Sequence, residues 1–571
     1  MLGFQHFTKC ALLTGAALAT FVPVAALAQE APAAQAPSTS DTSETADIVV
    51  TAQKRSERLQ DVPASVAVVS ATDLTKQGVV QFADYATRVP GLSLTSVRTG
   101  QSQVTLRGIT TGAAQSASST GYYVDEAPIG SVNAYAGGST TTPDLDPSDL
   151  SQIEVLKGPQ GTLYGAGAVG GLLKFVTASP SFTELGGRVS GGVTDVAHGG
   201  MGYAGRGMIN IPLVTDQLTF HVSGFYRRDA GYIDNINARI GRDDVNRATV
   251  RGGRAVLAMK LGPDVRLDLS AIGQDTNTHG LNTVDVDAAT LQPLFGQLTQ
   301  NRNVAEDGFT KFRLYNATLR ADLGAIDLVS STTYQHTAFS QVTDATRSFG
   351  ALLGGVFGIP TLGVRQNQNT RTERWSEEVR ANADGVANGL IDLQAGFYWT
   401  HEKDSNRIPS LDPFLTTSGT ALPLPNLVTA AILSKYEEYS LFGNATVHLG
   451  EKFNVLGGVR YSHDTQDYFQ DYSGLIIGPR RINTGKEKAN IATYLVSPRY
   501  KLSDNAMIYG RVASGYRPGG PNAVPPPSVF VAPDTFAPDR LTQYEIGFKG
   551  QTADRKLSID TALFYTNWKD I

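Results

Sequence analysis

The sequence predicts a transmembrane antiparallel β-barrel with a small α/β domain on its N-terminal side. Three observations carry this: a secretory leader, period-two segments apolar on one face and polar on the other, and connections that alternate between short and long.

The leader comes first. Lys9 supplies a positive start, Ala11 to Val22 is an apolar run broken only by Thr14, Gly15 and Thr20, and Ala26-Leu27-Ala28 is an A-x-A cleavage site. The run is too short to span a bilayer as a helix. Residues 1–28 therefore read as a signal peptide, with Gln29 the first mature residue. The only cysteine, Cys10, lies inside it and precedes the apolar run, so the mature chain is expected to hold no disulfide, thiolate metal site or lipid-anchor cysteine. His221, His279, His336, His401, His448 and His463 lack ligand spacing and read as loop and lumen residues; no metal site is expected. A net charge of −5 over 571 residues, with no basic patch, gives no reason to expect nucleic acid.

Residues 29–46 are rich in Ala, Pro, Ser and Thr and read as a flexible linker. DIVVTAQKR, residues 47–55, follows as a short β-prone segment. It is either the first strand of the next domain or an exposed strand awaiting a partner sheet. Residues 56–181 are mixed α/β. PASVAVVS reads as a strand; a helix follows with Thr72 as N-cap, Leu74 and Phe82 to Tyr85 buried, and a stop at Pro90-Gly91. QVTLRGI and YYVDEAPI read as two more strands, and SQIEVL as another.

Then comes GPQGTLYGAGAVGGLLKFVT, where Gly165, Gly167 and Gly170 match the G-x-G-x-x-G of dinucleotide sites and Glu184 lies near the required acidic position. The fingerprint needs a helix after its glycines, and LLKFVT is made of strand formers, so a nucleotide is not expected. The domain carries no paired acid, base and nucleophile.

From residue 182 the pattern becomes hairpins. Tyr439, Leu441, Ala445 and Val447 alternate with Ser440, Phe442, Asn444 and Thr446; after the turn Gly450 to Lys452, Phe453, Val455, Val459 and Tyr461 alternate with Asn454, Arg460 and Ser462. Similar hairpins turn at Gly262 to Asp264 and at Gln551 to Arg555. Tight turns near 212–216, 262–265, 324, 384–389, 450–452, 503–506 and 551–555 alternate with long connections near 229–250, 277–310, 339–370, 404–433, 464–489 and 517–539. A soluble sandwich could share the alternation but has no reason to sort its loops by parity.

These residues resemble a known family. DIVVTAQKR is similar to a TonB box, and RVPGLSLTSVR, TLRGI, YYVDEAPI and the glycine-rich stretch resemble the plug of TonB-dependent outer-membrane receptors. FYRRDAGYIDN and YGRVASGYRPGG resemble their barrel. The resemblance implies that Asp47, Ile48, Val49, Val50, Thr51 and Ala52 pair with the periplasmic domain of TonB. It marks Arg107, Gly108 and Asp125 as structural plug residues. It marks likewise Gly158, Pro159, Gly161 and Tyr164, with Gly165, Gly170 and Gly171 after them. Plugged barrels of this size have about 22 strands. Alternation counts about fifteen here, with strands near ten residues, so the reading is a C-terminally truncated barrel without its closing strand.

The implied function is TonB-energised import across the bacterial outer membrane, without a cofactor or covalent chemistry. The substrate is a small molecule, a ferric siderophore by base rate, with no contacting residues assigned. Outer-membrane lipid surrounds the barrel. No room exists between Ala28 and Asp47 for an extra signalling domain. The alternative is a passive porin or surface-binding barrel; an enzyme ranks third. If the first strand after Leu185 runs outward, Gly450 to Lys452 faces the periplasm. Residues 464–489, with Arg480, Arg481, Lys486 and Lys488, and 517–539, with Pro525 to Pro527, are then long outer loops.

Overall fold

The protein is described by a computed structural model over residues 47–79, 81–110, 118–133, 136, 144–522 and 533–571. The expected signal peptide with Cys10, the linker and Pro525 to Pro527 lie outside the described residues.

One 15-stranded sheet dominates, from Gly186–Asp195 to Ser558–Lys569, every strand antiparallel to the next in chain order. Its burial is inverted relative to a soluble sheet. Ser440, Arg460 and Ser462 are almost fully buried, whereas Leu441 and Val459 on the same strands are 65% and 57% exposed. Among the described residues no second sheet covers that apolar face, which removes the sandwich reading. At about 25 cal/mol per Å² of apolar surface, such a face is stable only against lipid. The polar face looks inward.

The tight turns stand where parity places them: 215–217, 261–264, 323–326, 386–390, 449–452, 504–505 and 552–557 join consecutive strands. The outer connections differ from expectation. Residues 230–247 and 279–307 are long, but 464–489 is no loop: Phe453–Gly474 and Gly478–Ser503 stay paired up to a turn at 475–477. Leu362–Gly385 and Ile391–Leu415 run 24 and 25 residues, far beyond ten. Apolar alternation stops where lipid stops, yet the hydrogen-bonded ladder continues into water on polar residues. Lys486 to Asp467 at 3.0 Å and Arg480 to Asp471 at 2.7 Å are cross-strand pairs of this kind.

Inside the barrel sits the N-terminal domain. Its five-stranded sheet runs in the order Val66–Ser70, Leu150–Lys157, Gly171–Thr177, Thr120–Val124, Ala127–Ile129, and only the pairing of Gly171–Thr177 with Thr120–Val124 is parallel. A separate hairpin, Leu92–Arg98 with Gln101–Leu106, lies beside it. YYVDEAPI is thus two strands, with Asp125 at φ 51 in the turn.

The single helix expected from Thr72 is two, Ala71–Lys76 and Phe82–Ala86. Ser70 caps the first by accepting from the Asp73 N–H, and Gly78 at φ 69 breaks the run. Leu74, Phe82 and Tyr85 are buried while Ala83 and Asp84 are exposed, because a helix of little more than one turn buries one face. Leu106, Ile153 and Phe175 complete a core that reaches Phe312 and Leu314 of the barrel. His221 is buried on the lumen side, but His336, His401 and His463 stand on the outward side of their strands, a correction to the lumen reading.

Candidate functional site

Val49–Val50 pairs with Glu57–Arg58 as its own two-stranded sheet, in register Val49↔Arg58 and Val50↔Glu57. It is therefore neither the first strand of the domain's sheet nor wholly exposed. Ile48 and Val49 are 51% and 48% exposed, while Val50 and Ala52 are buried. Thr51 N–H donates to Glu154 Oε1 at 2.9 Å, Gln152 Nε2 to the Val49 carbonyl at 2.9 Å, and Tyr164 hydroxyl to the Ala52 carbonyl at 3.0 Å. Asp47 lies 3.4 Å from Arg555 and 3.7 Å from Arg58.

Immediately beyond, Lys54 is 4% exposed and pairs with Glu378 of the barrel wall. Its ammonium lies 4.9 Å from the Tyr164 ring, 5.5 Å from Phe442 and 5.8 Å from Tyr123. Burial lowers its pKa from 10.5 to about 8; Glu378 offsets part of the fall and Arg380 adds to it. Arg380 bridges Glu378 at 3.0 Å and Glu126 at 2.7 Å. Burial pushes the Glu126 carboxyl up, but Arg380 and Lys174 outweigh it and hold the group far below the usual range. Lys54, Glu126, Glu154, Glu378 and Arg380 escaped the sequence reading. Lys54 stood in the quoted motif; its partner is 324 residues away.

The glycine-rich stretch is a wedge against the wall. Gly158 N–H donates to the Gly170 carbonyl at 2.9 Å and Gln160 N–H to the Ala168 carbonyl at 2.9 Å, closing the segment on itself. Pro159 accepts from Arg511 Nη2 at 2.8 Å. The helix Gly161–Tyr164 precedes the fingerprint glycines, and the strand Gly171–Thr177 follows them, so no helix opens toward a phosphate.

Gly165, at φ 71, ends that helix, and a Cβ there would stand 2.7 Å from Arg460 Nη2. A Cβ at Gly161 would stand 2.6 Å from the Ser514 carbonyl oxygen. Gly170 packs under Ser119 and Ile109, and Gly171 under the Leu156 carbonyl. Arg107 pairs with Glu545 across the plug–barrel boundary, Gly108 turns the chain at φ 74, and Asp125 accepts from Thr177 N–H at 2.8 Å.

Space remains along one side of the lumen. A chamber of about 790 Å³ opens at the end where the tight turns lie, and a second of about 300 Å³ continues inward. Thr51, Glu126, Arg266 and Arg320 line both. Above them the gap narrows to about 40 Å³ beside Asp149. There Asp149 is gripped by Ser223 at 2.7 Å, His221 at 2.8 Å and Arg254 at 3.1 Å.

Comparison with known proteins agrees with this arrangement. Residues 58–172 match the TonB-dependent receptor plug domain, and residues 215–571 match the TonB-dependent receptor-like β-barrel. The chain belongs to the TonB-dependent receptor family.

The pesticin receptor of Yersinia pestis is 28% identical over 542 residues, covering 92% of this chain and 71% of the relative. The catecholate siderophore receptor Fiu of Escherichia coli O157:H7 is 22% identical over 567 residues, covering 90% and 70%. The solved ferric yersiniabactin uptake receptor FyuA of Yersinia pestis shares the fold at TM-score 0.72 and 23% identity, over 89% of this chain and 73% of that one. The siderophore receptor PiuA of Acinetobacter baumannii shares it at TM-score 0.68 and 17% identity, over 89% and 73%. This TonB-dependent receptor is thus an outer-membrane barrel with an internal plug, and its family comprises receptors and transporters.

Proposed function

We propose that this receptor imports an iron chelate, and that TonB engages it by adding a strand along Asp47–Ala52. One observation carries the coupling: Thr51, inside that half-exposed segment, lines both inner chambers. It is also bonded to Glu154 in the plug sheet. Traction on the segment is therefore delivered to the plug beside the space a solute would cross. The iron chelate is favoured by the siderophore receptors among the relatives. The mature receptor then begins after the leader, with plug and barrel bounded near residues 56–181 and 182–571.

The test is Val49→Pro, at an exposed side chain, which removes one N–H from any added strand without emptying the core. Chelate binding to cells should be unchanged while energised uptake falls at least about tenfold, the scale of about 1.4 kcal/mol. Uptake at the unsubstituted rate rejects strand addition at this segment.

A further inference from the structure

The outer connections 230–247 and 279–307 enclose a cavity of about 480 Å³ whose chemistry differs from the rest of the lumen. Asp234–Asn235 and Thr299–Gln300 pair as short parallel strands, and Asn237 Nδ2 bonds Asn301 Oδ1 at 2.9 Å and Asn303 Oδ1 at 3.2 Å. The walls are thus a built structure, with Asn235, Val245 and Val304 buried. Arg239, Arg242, Arg247, Arg302 and Arg365 line it.

Arg302 is matched by Asp285 at 2.9 Å and Glu306 at 3.3 Å. The other four have no carboxylate within ion-pair distance among the described residues. Desolvation, then Arg242 and Arg228, pull the Arg247 pKa below the ordinary arginine range against smaller opposing pulls from Asp307 and Asp244. Gln300, 2% exposed, also lines the cavity, and its amide oxygen has no protein partner. Turning that amide over presents an N–H donor at the same place. Arg239 donates to the Asn303 carbonyl, and Glu306 and Asp307 share the lining; Arg242, Arg247 and Arg365 keep unmatched forks beside the idle amide, an arrangement suited to an anion with several oxygen acceptors. The floor is tied to the plug, because Arg98 at the tip of its hairpin donates to the Glu306 carbonyl at 3.2 Å.

We infer that this cavity binds a soluble small molecule bearing two or more carboxylate or phosphate groups. It acts as the outer selectivity site for the solute the receptor takes in. That role rests on the import reading; the binding does not. The volume suits a molecule of citrate size or somewhat larger.

The test is calorimetry on the full chain in detergent, with citrate and inorganic pyrophosphate as probes and maltose as a neutral comparison. The expected result is saturable binding of the anions that weakens between about 0.02 M and about 0.5 M salt. Arg242→Gln with Arg247→Gln should weaken it at least about tenfold, with gel mobility before heating confirming a folded barrel. Absence of saturable anion binding, equal binding by the double variant, or binding only of micelles carrying lipid A phosphates overturns the inference. Uptake of neutral and anionic ferric chelates separates the two readings. Anion binding without entry of any chelate removes import and leaves the pocket. Entry without anion binding removes the pocket and leaves import.

Discussion

Lys54 should make docking of residues 47–52 onto the plug dependent on pH, in a direction opposite to that of a stabilising ion pair. In the docked state its pKa is about 8, against an ordinary 10.5. Below about pH 8 the buried ammonium is charged in both docked and released states, and the docked state bears the full desolvation cost. Between about 8 and 10.5 the docked lysine gives up its proton while the released one keeps it, so the cost disappears as pH rises. At about 1.4 kcal/mol per tenfold, the fall corresponds to about 3 kcal/mol. A buried pair that costs more to desolvate than it recovers has this behaviour.

Tyr123 and Tyr164 face Lys54 but are pushed well above the usual phenol range by burial, and Glu126 stays ionised throughout. The assay is a nitroxide on Ile48→Cys, an exposed side chain, with Cys10 replaced by serine and urea set to leave docked and released populations both visible. The released fraction should be nearly level below about pH 8 and fall steeply from about 8 to 10.5. Lys54→Met, which fills the same aromatic cage without charge, should remove most of that slope. Identical slopes in the two proteins, or release that grows with pH only in the unsubstituted chain, would refute the reasoning.

Three further outcomes are expected. Gly171→Ala should destabilise the plug by about 3 kcal/mol or more, since its φ is 146 and a Cβ would overlap the Leu156 carbonyl and approach Leu106 Cδ1 to 2.6 Å. Urea titration followed by hydrogen exchange of the plug amides reads this, since Trp375, Trp399 and Trp568 all stand on barrel strands, and an unshifted midpoint contradicts it. Calorimetry with NAD or ATP should show no binding at the Gly165–Gly171 stretch, because the element after its glycines is a strand; micromolar binding would restore the nucleotide reading. Cysteine at Lys486, on the long polar hairpin, should react with an impermeant maleimide on intact cells, whereas cysteine at Lys452, in a tight turn, should not. The reverse pattern would invert the barrel.

The linear sequence determined what depends on neighbours. Alternation at Tyr439 to Val447 fixed which face of the strand is apolar, because side chains in a strand alternate whatever lies around them. The parity of turns such as Gly450 to Lys452 fixed the barrel class. The failure of a helix to follow Gly165 and Gly170 disposed of the nucleotide motif, since strand formers cannot supply it. Where the apolar signal ended, at residues 464–489, sequence reasoning placed a loop and the molecule has a ladder. Backbone hydrogen bonds persist beyond the membrane with no hydrophobic pattern to mark them.

Only the tertiary structure decided the rest. Lys54 and Glu378 are 324 residues apart and meet because the plug sits against the inner face of the sheet. The outer cavity gathers Arg242 and Arg247 from one connection, Arg302 from another that pairs with it, and Arg365 from the strand Leu362–Gly385. Charges separated by such lengths of chain carry no mutual pattern along it. Their meeting is a property of strand register and loop closure, and their electrostatics come from the desolvation that packing imposes.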